Sequence, residues 1–155
     1  MIRNAPIEEG MPAPEFRLKD QDGRLVSLRD FADKKWVILY FYPKDLTPGC
    51  TREACSFRDS LARLQPYNAQ VLGVSVDDSA SHYTFSNKYS LNFPLLADSD
   101  KVTTKAYGAL AFYRLARRMT FIIDPQGKIR KIFRRVRPAT HLDELLAALR
   151  ALQAN

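Results

Sequence analysis

The stretch Trp36-Val-Ile-Leu-Tyr-Phe-Tyr42, followed directly by Pro43-Lys-Asp-Leu-Thr47-Pro48-Gly49-Cys50, decides how this chain folds. Seven consecutive apolar or aromatic residues are too few and too uniformly apolar for an amphipathic helix. They suit a central strand buried on both faces. Pro43 to Gly49 then reads as a loop that runs into a helix. Thr47 is a good N-cap, and Pro48 falls at the first helical position, where its missing N–H costs nothing. Ala54, Phe57, Leu61 and Leu64 follow on one helical face.

Working outward, residues 14–28 read as a hairpin: Phe16 and Leu18 alternate with polar residues, Asp22-Gly23 supplies the turn, and Leu25, Val26 and Leu28 follow. Downstream, Gln70 to Val76 is a second buried strand. A helix over Ser81–Ser90, a strand near Phe93–Leu96 and a short helix over Lys101–Tyr107 come next. Met119 to Asp124 is a strand, Pro125-Gln-Gly127 a turn and Lys128–Val136 its hairpin partner. Leu142, Leu145, Leu146, Leu149 and Leu152 mark a closing amphipathic helix. This order predicts an α/β sandwich around a central, mostly buried sheet. Sites in such folds lie at the carboxyl ends of the strands, and Cys50 is just past one.

No linker, repeat or low-complexity segment interrupts the 155 residues, so 1–155 is read as one domain. With 46% of residues apolar or aromatic, a chain this long needs no disulfide or metal to fold. No run of about 18 apolar residues exists, so no membrane span is expected. The opening MIRNAPIEEG lacks the apolar stretch of a secretory leader. With reducible cysteines, this points to the cytoplasm. From Lys101 onward twelve Lys/Arg stand against three Asp/Glu, a local charge of +9 within a net +7, while residues 1–100 are near −2. A basic end of this kind meets nucleic acid, an anionic surface or an acidic protein, and charge alone does not choose.

The two cysteines, Cys50 and Cys55, are too few for a disulfide scaffold or a four-cysteine zinc site. With Thr47 at the N-cap, Cys50 lies in the first turn, where unpaired N–H groups and the helix dipole favour a thiolate. A free cysteine with pKa about 8.5 is only about 3% thiolate at pH 7, so full ionisation raises the reactive fraction about 30-fold, or roughly 2 kcal/mol. A fast cysteine enzyme needs more, from groups that stabilise charge on the leaving atom. Thr47 and an arginine from elsewhere are candidates. On one helix Cys50 and Cys55 would have Cα atoms about 8.7 Å apart, beyond the roughly 7 Å limit for a disulfide. Any bridge between them therefore requires the start of the helix to unwind. The plainer readings are a small apolar Cys50 under a helix start and a core Cys55 beside Ala54.

Pro43-x-x-x-Thr47-x-x-Cys50 resembles the active-site signature of peroxiredoxins, and the longer string Tyr42-Pro-Lys-Asp-Leu-Thr-Pro-Gly-Cys-Thr-Arg-Glu-Ala-Cys55-Ser-Phe-Arg58 resembles their bacterioferritin comigratory protein, or Q, branch. The resemblance spans nearly the whole chain. Pro12-Ala-Pro-Glu-Phe16 with Leu18 and Asp20 looks like the family's opening. Val74-Ser-Val-Asp77, Ser81-His82, Phe85, Lys88-Tyr89 and Phe93-Pro-Leu-Leu96 fit its middle. Arg118-Met-Thr-Phe-Ile-Ile-Asp124, Val136-Arg-Pro138 and His141 fit its end. Leu46 and Met119 depart from it, standing where polar residues are common.

The resemblance implies a thioredoxin-like fold with a central mixed β-sheet flanked by helices, and reduction of hydrogen peroxide and organic hydroperoxides without a cofactor or metal. By position, Cys50 would be the attacking cysteine, Thr47 would hydrogen-bond thiolate and peroxide, Pro43 would shield the thiolate from water, and Arg118 would fix the thiolate and polarise the O–O bond. Arg114 and Arg117 are rival arginines, and Arg118 is preferred because it sits two residues before Thr120-Phe121, as in the family. Cys55 would resolve the sulfenic acid as an intramolecular disulfide, reduced in turn by thioredoxin or a similar dithiol. The branch also implies a monomer.

Other readings fit less well. A dithiol reductase of this fold would carry Cys-x-x-Cys rather than Cys-x4-Cys. A metal site of Cys50, Cys55, His82 and His141 has no supporting spacing; His82 reads as a helix-surface residue and His141 as a helix start. Lys128-Ile-Arg-Lys-Ile-Phe-Arg-Arg-Val-Arg137 is basic enough for nucleic acid, but reads more simply as an apolar strand face under solvated arginines.

Overall fold

A computed structural model describes residues 6–154. Met1 to Ala5, part of the stretch read for a secretory leader, lie outside the described residues. The strands are β1 (Arg17–Lys19), β2 (Leu25–Ser27), β3 (Trp36–Phe41), β4 (Ala69–Ser75), β5 (Leu95–Ala97), β6 (Met119–Ile123) and β7 (Ile129–Phe133). The helices are α1 (Pro48–Leu64), α2 (Ser79–Tyr89), α3 (Val102–Ala106) and α4 (His141–Gln153). All seven strands form one mixed sheet in the order β2-β1-β5-β4-β3-β6-β7. β3–β4 and β4–β5 are parallel, and the remaining pairs antiparallel.

The apolar run at β3 is continuous because both faces of the sheet are covered. Val37, Leu39 and Phe41 join one core with Leu72, Val74, Tyr107, Phe121 and Ile123, capped by Ala13 and Phe16. Ile38, Tyr40 and Tyr42 face the other way, into Ala54 and Phe57 of α1, Phe85 of α2 and Leu142, Leu145 and Leu149 of α4. Gly73, beside Tyr40 in the β3–β4 register, makes room for that ring: a Cβ there would lie 3.0 Å from Tyr40 and Leu95.

The expected elements are present with ends moved by a few residues. The predicted strand 128–136 pairs only over Ile129–Phe133. Its basic side chains are partly engaged: Arg130 bonds Asp124 and lies over Trp36, and Lys131 lies over Phe133. The N-terminal hairpin is no separate flap. It joins the main sheet through Lys19↔Ala97, and the Gln21 amide bonds Phe93 C=O and Leu95 N–H. No helix among the described residues is long and apolar enough to cross a membrane.

Candidate active site

The loop from β3 to α1 leaves the carboxyl end of the central strand, on the helix-covered face. α1 begins where the sequence predicts. Thr47 is extended at the N-cap (φ −80°, ψ 153°), Pro48 opens the helix, and Thr51 N–H bonds Thr47 C=O at 2.9 Å. The Thr47 side chain does not cap. Its hydroxyl donates to Lys44 C=O at 2.8 Å, so its proton is spent on the loop and the oxygen is left as an acceptor. Pro43 and Thr47 are half-buried along this loop.

Cys50 sits in the first turn of α1 and is 1% exposed. The Arg118 guanidinium, on the residue before β6, reaches it across the sheet end: Nη2 donates to Cys50 Sγ at 3.2 Å. Its Nη1 donates to Glu53 Oε1 at 2.7 Å. One fork thus holds a sulfur and a carboxylate from the same helical face, three residues apart. Burial works against the Arg118 charge, but Glu53 and Cys50 outweigh it and hold its pKa above the ordinary arginine value. Arg118 is therefore the arginine at the thiol, in preference to Arg114 and Arg117. Cys55 is half-buried further along the unbroken α1, and both cysteines are free thiols.

Two participants escaped the sequence reading. Gly49 admits the arginine: a Cβ there would stand 3.2 Å from Arg118 Nη2. Glu53 is 2% exposed, and its Oε2 has no hydrogen-bond partner among the described residues. Burial pushes its carboxyl from an ordinary 4.5 up to about 7, against the pull of Arg118. The Tyr40 hydroxyl is likewise buried and unpartnered, with its pKa raised by burial, then by Glu53 and Cys50. The spacing of Glu53 from Cys50, with a carboxylate interrupting an apolar helix face, was the available signal.

The same loop is anchored from below. Asp45 accepts from Tyr42 Oη at 2.7 Å and Ser81 Oγ at 2.8 Å, and faces His82 Nδ1 at 2.7 Å. His82 Nε2 faces Leu96 C=O at 3.0 Å. Both ring nitrogens are thus engaged by oxygen atoms, one on the loop and one on β5, which fixes the orientation of the ring. His82 is thus fully buried, against the expectation of a helix-surface residue, because α2 turns it towards the loop. His141 does start α4, but it too is buried, facing Thr120 Oγ1 at 2.8 Å. Asp45, Asp77 and His82 lie close enough to hold a cation, but they are already bonded to one another and to their neighbours: Asp77 Oδ2 accepts from Asp45 N–H and Ser75 Oγ. A cleft of about 90 Å³ beside Leu28, Val37 and Asp124 shares no residue with either cluster.

Residues 10–132 match the model of the AhpC/TSA family. The chain belongs to that family, on its peroxiredoxin Q branch. It is 43% identical over 151 residues to a chloroplastic peroxiredoxin Q of Suaeda salsa, covering 96% of this chain and 70% of the relative. A cysteine-to-serine mutant of Xylella fastidiosa peroxiredoxin Q superposes with a TM-score of 0.90 at 32% identity, over 97% of this chain and 100% of that one. The bacterioferritin comigratory protein of Xanthomonas campestris, whose structure was solved in connection with its alkyl peroxide reduction activity, gives 0.84 at 36% identity, over 88% and 91% of the two chains. The fold is accordingly the thioredoxin-like fold of peroxiredoxins, and the enzyme is a thiol-dependent peroxidase.

Proposed function

We propose that Cys50 is the peroxidatic cysteine and Cys55 its resolving partner, with Thr47, Pro43 and Arg118 completing the site. The observation that carries this reading is the 3.2 Å contact from Arg118 Nη2 to Cys50 Sγ at the start of α1. In the first step the Cys50 thiolate attacks the terminal oxygen of a hydroperoxide. The S–O bond forms as the O–O bond breaks, sulfur is oxidised to sulfenic acid, and the leaving alkoxide or hydroxide takes up a proton to become alcohol or water. Arg118 stabilises the negative charge as it passes from sulfur to the leaving oxygen. Thr47, its proton donated to Lys44 C=O, accepts the O–H of the incoming peroxide and so aims the terminal oxygen at sulfur. Pro43, without an N–H, walls the loop side of the thiol.

In the second step the Cys55 thiol attacks the Cys50 sulfenic sulfur, forming the disulfide and releasing water. A thioredoxin-type dithiol then reduces the bridge by exchange. Small hydroperoxides are the substrates, and the chain works as a cytoplasmic monomer. The test is to treat the reduced protein with one equivalent of hydrogen peroxide and follow intact mass and free thiols. Loss of both thiols with the mass of a monomeric disulfide is expected. Cys55→Ser should give a sulfenic acid at Cys50 but no thioredoxin-coupled turnover. Undiminished turnover in that variant would remove Cys55 from the cycle.

A further inference from the structure

The first two turns of α1 are held differently from the rest. Phe57 stacks on Tyr40 with ring centroids 4.7 Å apart, and Arg58 donates to Tyr89 C=O at 2.6 Å. From Phe57 onward the helix is thus fixed to β3 and α2. Before it, the Arg118 fork on Cys50 and Glu53 is the polar attachment that ties the first turns to the sheet end. Closing Cys50 onto Cys55 requires residues within this segment to leave helical geometry. Glu53 lies between the two cysteines, so it must come out of its pocket as the turn opens.

Its pocket suits it only in part. One carboxylate oxygen is paired with Arg118, while the other is buried with no partner, near a Tyr40 hydroxyl that is also unpartnered. An unmatched buried carboxylate oxygen recovers its hydration when it reaches water. We propose that Glu53 is a positioning residue with two opposed effects: it steers Arg118 onto Cys50 while the turn is closed, and its half-satisfied burial biases the turn to open once Cys50 is oxidised. This rests on the reading of Cys50 and Cys55 as the reacting pair.

Charge bookkeeping favours the same order of events. With Cys50 as thiolate, Arg118 sits between two anions and both secure it. Sulfenic acid is neutral, so oxidation removes one of the charges that fasten the turn and leaves Glu53 with its unmatched oxygen. The raised carboxyl of Glu53 has the sign this needs: ionised Glu53 is better accommodated outside the pocket than in it. The titratable and charged groups around it are Arg118 before β6, Cys50 on α1 and Tyr40 on β3, with His141 of α4 within the field of Arg118.

The test separates oxidation from closure. Reduced wild type and Glu53→Gln are mixed rapidly with peroxide and quenched with acid. Sulfenic acid and disulfide are then counted by mass at pH 5 and pH 8. The closure rate is read from the decay of the sulfenic species, whatever the rate of its formation. Wild type is expected to close at least about tenfold faster than Glu53→Gln at pH 8. The ratio should shrink towards one at pH 5, where Glu53 is itself neutral, and sulfinic acid should accumulate in the variant at pH 8 under excess peroxide. Taking the ratio at each pH cancels the ionisation of Cys55. Equal closure rates at pH 8, or a ratio that does not change with pH, would overturn the proposal. Should Glu53→Gln fold poorly, Glu53→Met is measured in its place, and amide exchange of residues 49–56 after one equivalent of peroxide, in a Cys55→Ser background that holds the sulfenic acid, gives a second readout, faster with Glu53 present than with it replaced at pH 8. If wild type itself forms no monomeric disulfide, the reading of Cys55 fails and not this one alone.

Discussion

At the scale of single residues, Arg118 and Gly49 act on one quantity, the position of a guanidinium beside sulfur. Removing Arg118 takes away a charge-assisted hydrogen bond worth about 1.5–3 kcal/mol, or roughly 10- to 150-fold in rate if it acts fully in the transition state. It also strands Glu53, a buried carboxylate with no other partner among the described residues. Gly49→Ala leaves the charge in place but crowds Nη2, which must retreat by a few tenths of an ångström. The expected order of second-order rate constants for peroxide is wild type, then Gly49→Ala lower by several-fold, then Arg118→Ala lower by at least tenfold. Stopped-flow oxidation measures all three. A Gly49→Ala rate equal to wild type would show that the contact has slack. Cys50, Thr47 and Arg118 were legible in the chain by motif. Gly49 and Glu53 were not, because their importance lies in the space around Arg118, which approaches from 68 residues away.

At the scale of elements, the loop between β3 and α1 is fastened to α2 through Asp45, which meets Ser81 and His82. Asp45 belongs to the loop and His82 to α2, and the pair is almost wholly excluded from solvent. Removing the Asp45 carboxylate leaves the Tyr42 hydroxyl, the Ser81 hydroxyl and the His82 ring nitrogen without their shared partner, and each buried polar group so orphaned costs about 1–3 kcal/mol. Asp45→Ala is therefore expected to lower the unfolding free energy by about 3–5 kcal/mol, read from urea denaturation. It should also slow peroxide attack, since Pro43 and Thr47 lose their footing. A change under about 1 kcal/mol would mean that Tyr42, Ser81 and His82 find other partners. Helix propensity and apolar spacing identified α2 as an element. His82 read as a residue of its surface; α2 is weakly amphipathic, so no apolar pattern says which of its sides faces the loop. Asp78 caps α2 through Ser81 N–H at 2.8 Å, which fixes where the helix begins and hence where His82 points.

Across the whole molecule, two buried groups near the site oppose each other in pH. Glu53 has a folded value of about 7 against an ordinary 4.5. Its share of stability is present in full below 4.5 and is lost as pH rises through 7. Burial lowers His141, so its contribution runs the other way: present above an ordinary 6.5 and lost as pH falls through its folded value. In wild type the two partly cancel between pH 4.5 and 6.5. Glu53→Gln should uncover the His141 slope. The unfolding free energy of the variant relative to wild type should rise by up to about 3 kcal/mol from pH 4.5 to 7 and level off above. Urea titrations at several pH values measure this difference, and a flat difference would show that Glu53 finds water in the closed turn.

The amino-acid sequence by itself determined the alternation of strands and helices, the start of α1 at Thr47-Pro48, and the location of Cys50 past the central strand. These follow from short-range causes: apolar runs, N-cap chemistry and the fixed φ of proline. It also carried the Thr47 and Cys50 spacing, which acts within one loop and one turn. The tertiary structure decided the strand order that joins the hairpin to β5, the fork by which Arg118 holds both Cys50 and Glu53, and the burial of His82 and Glu53. Those depend on which distant segments the sheet brings to one edge. A side chain's neighbours across the sheet set its desolvation and its partners, and no local pattern encodes them.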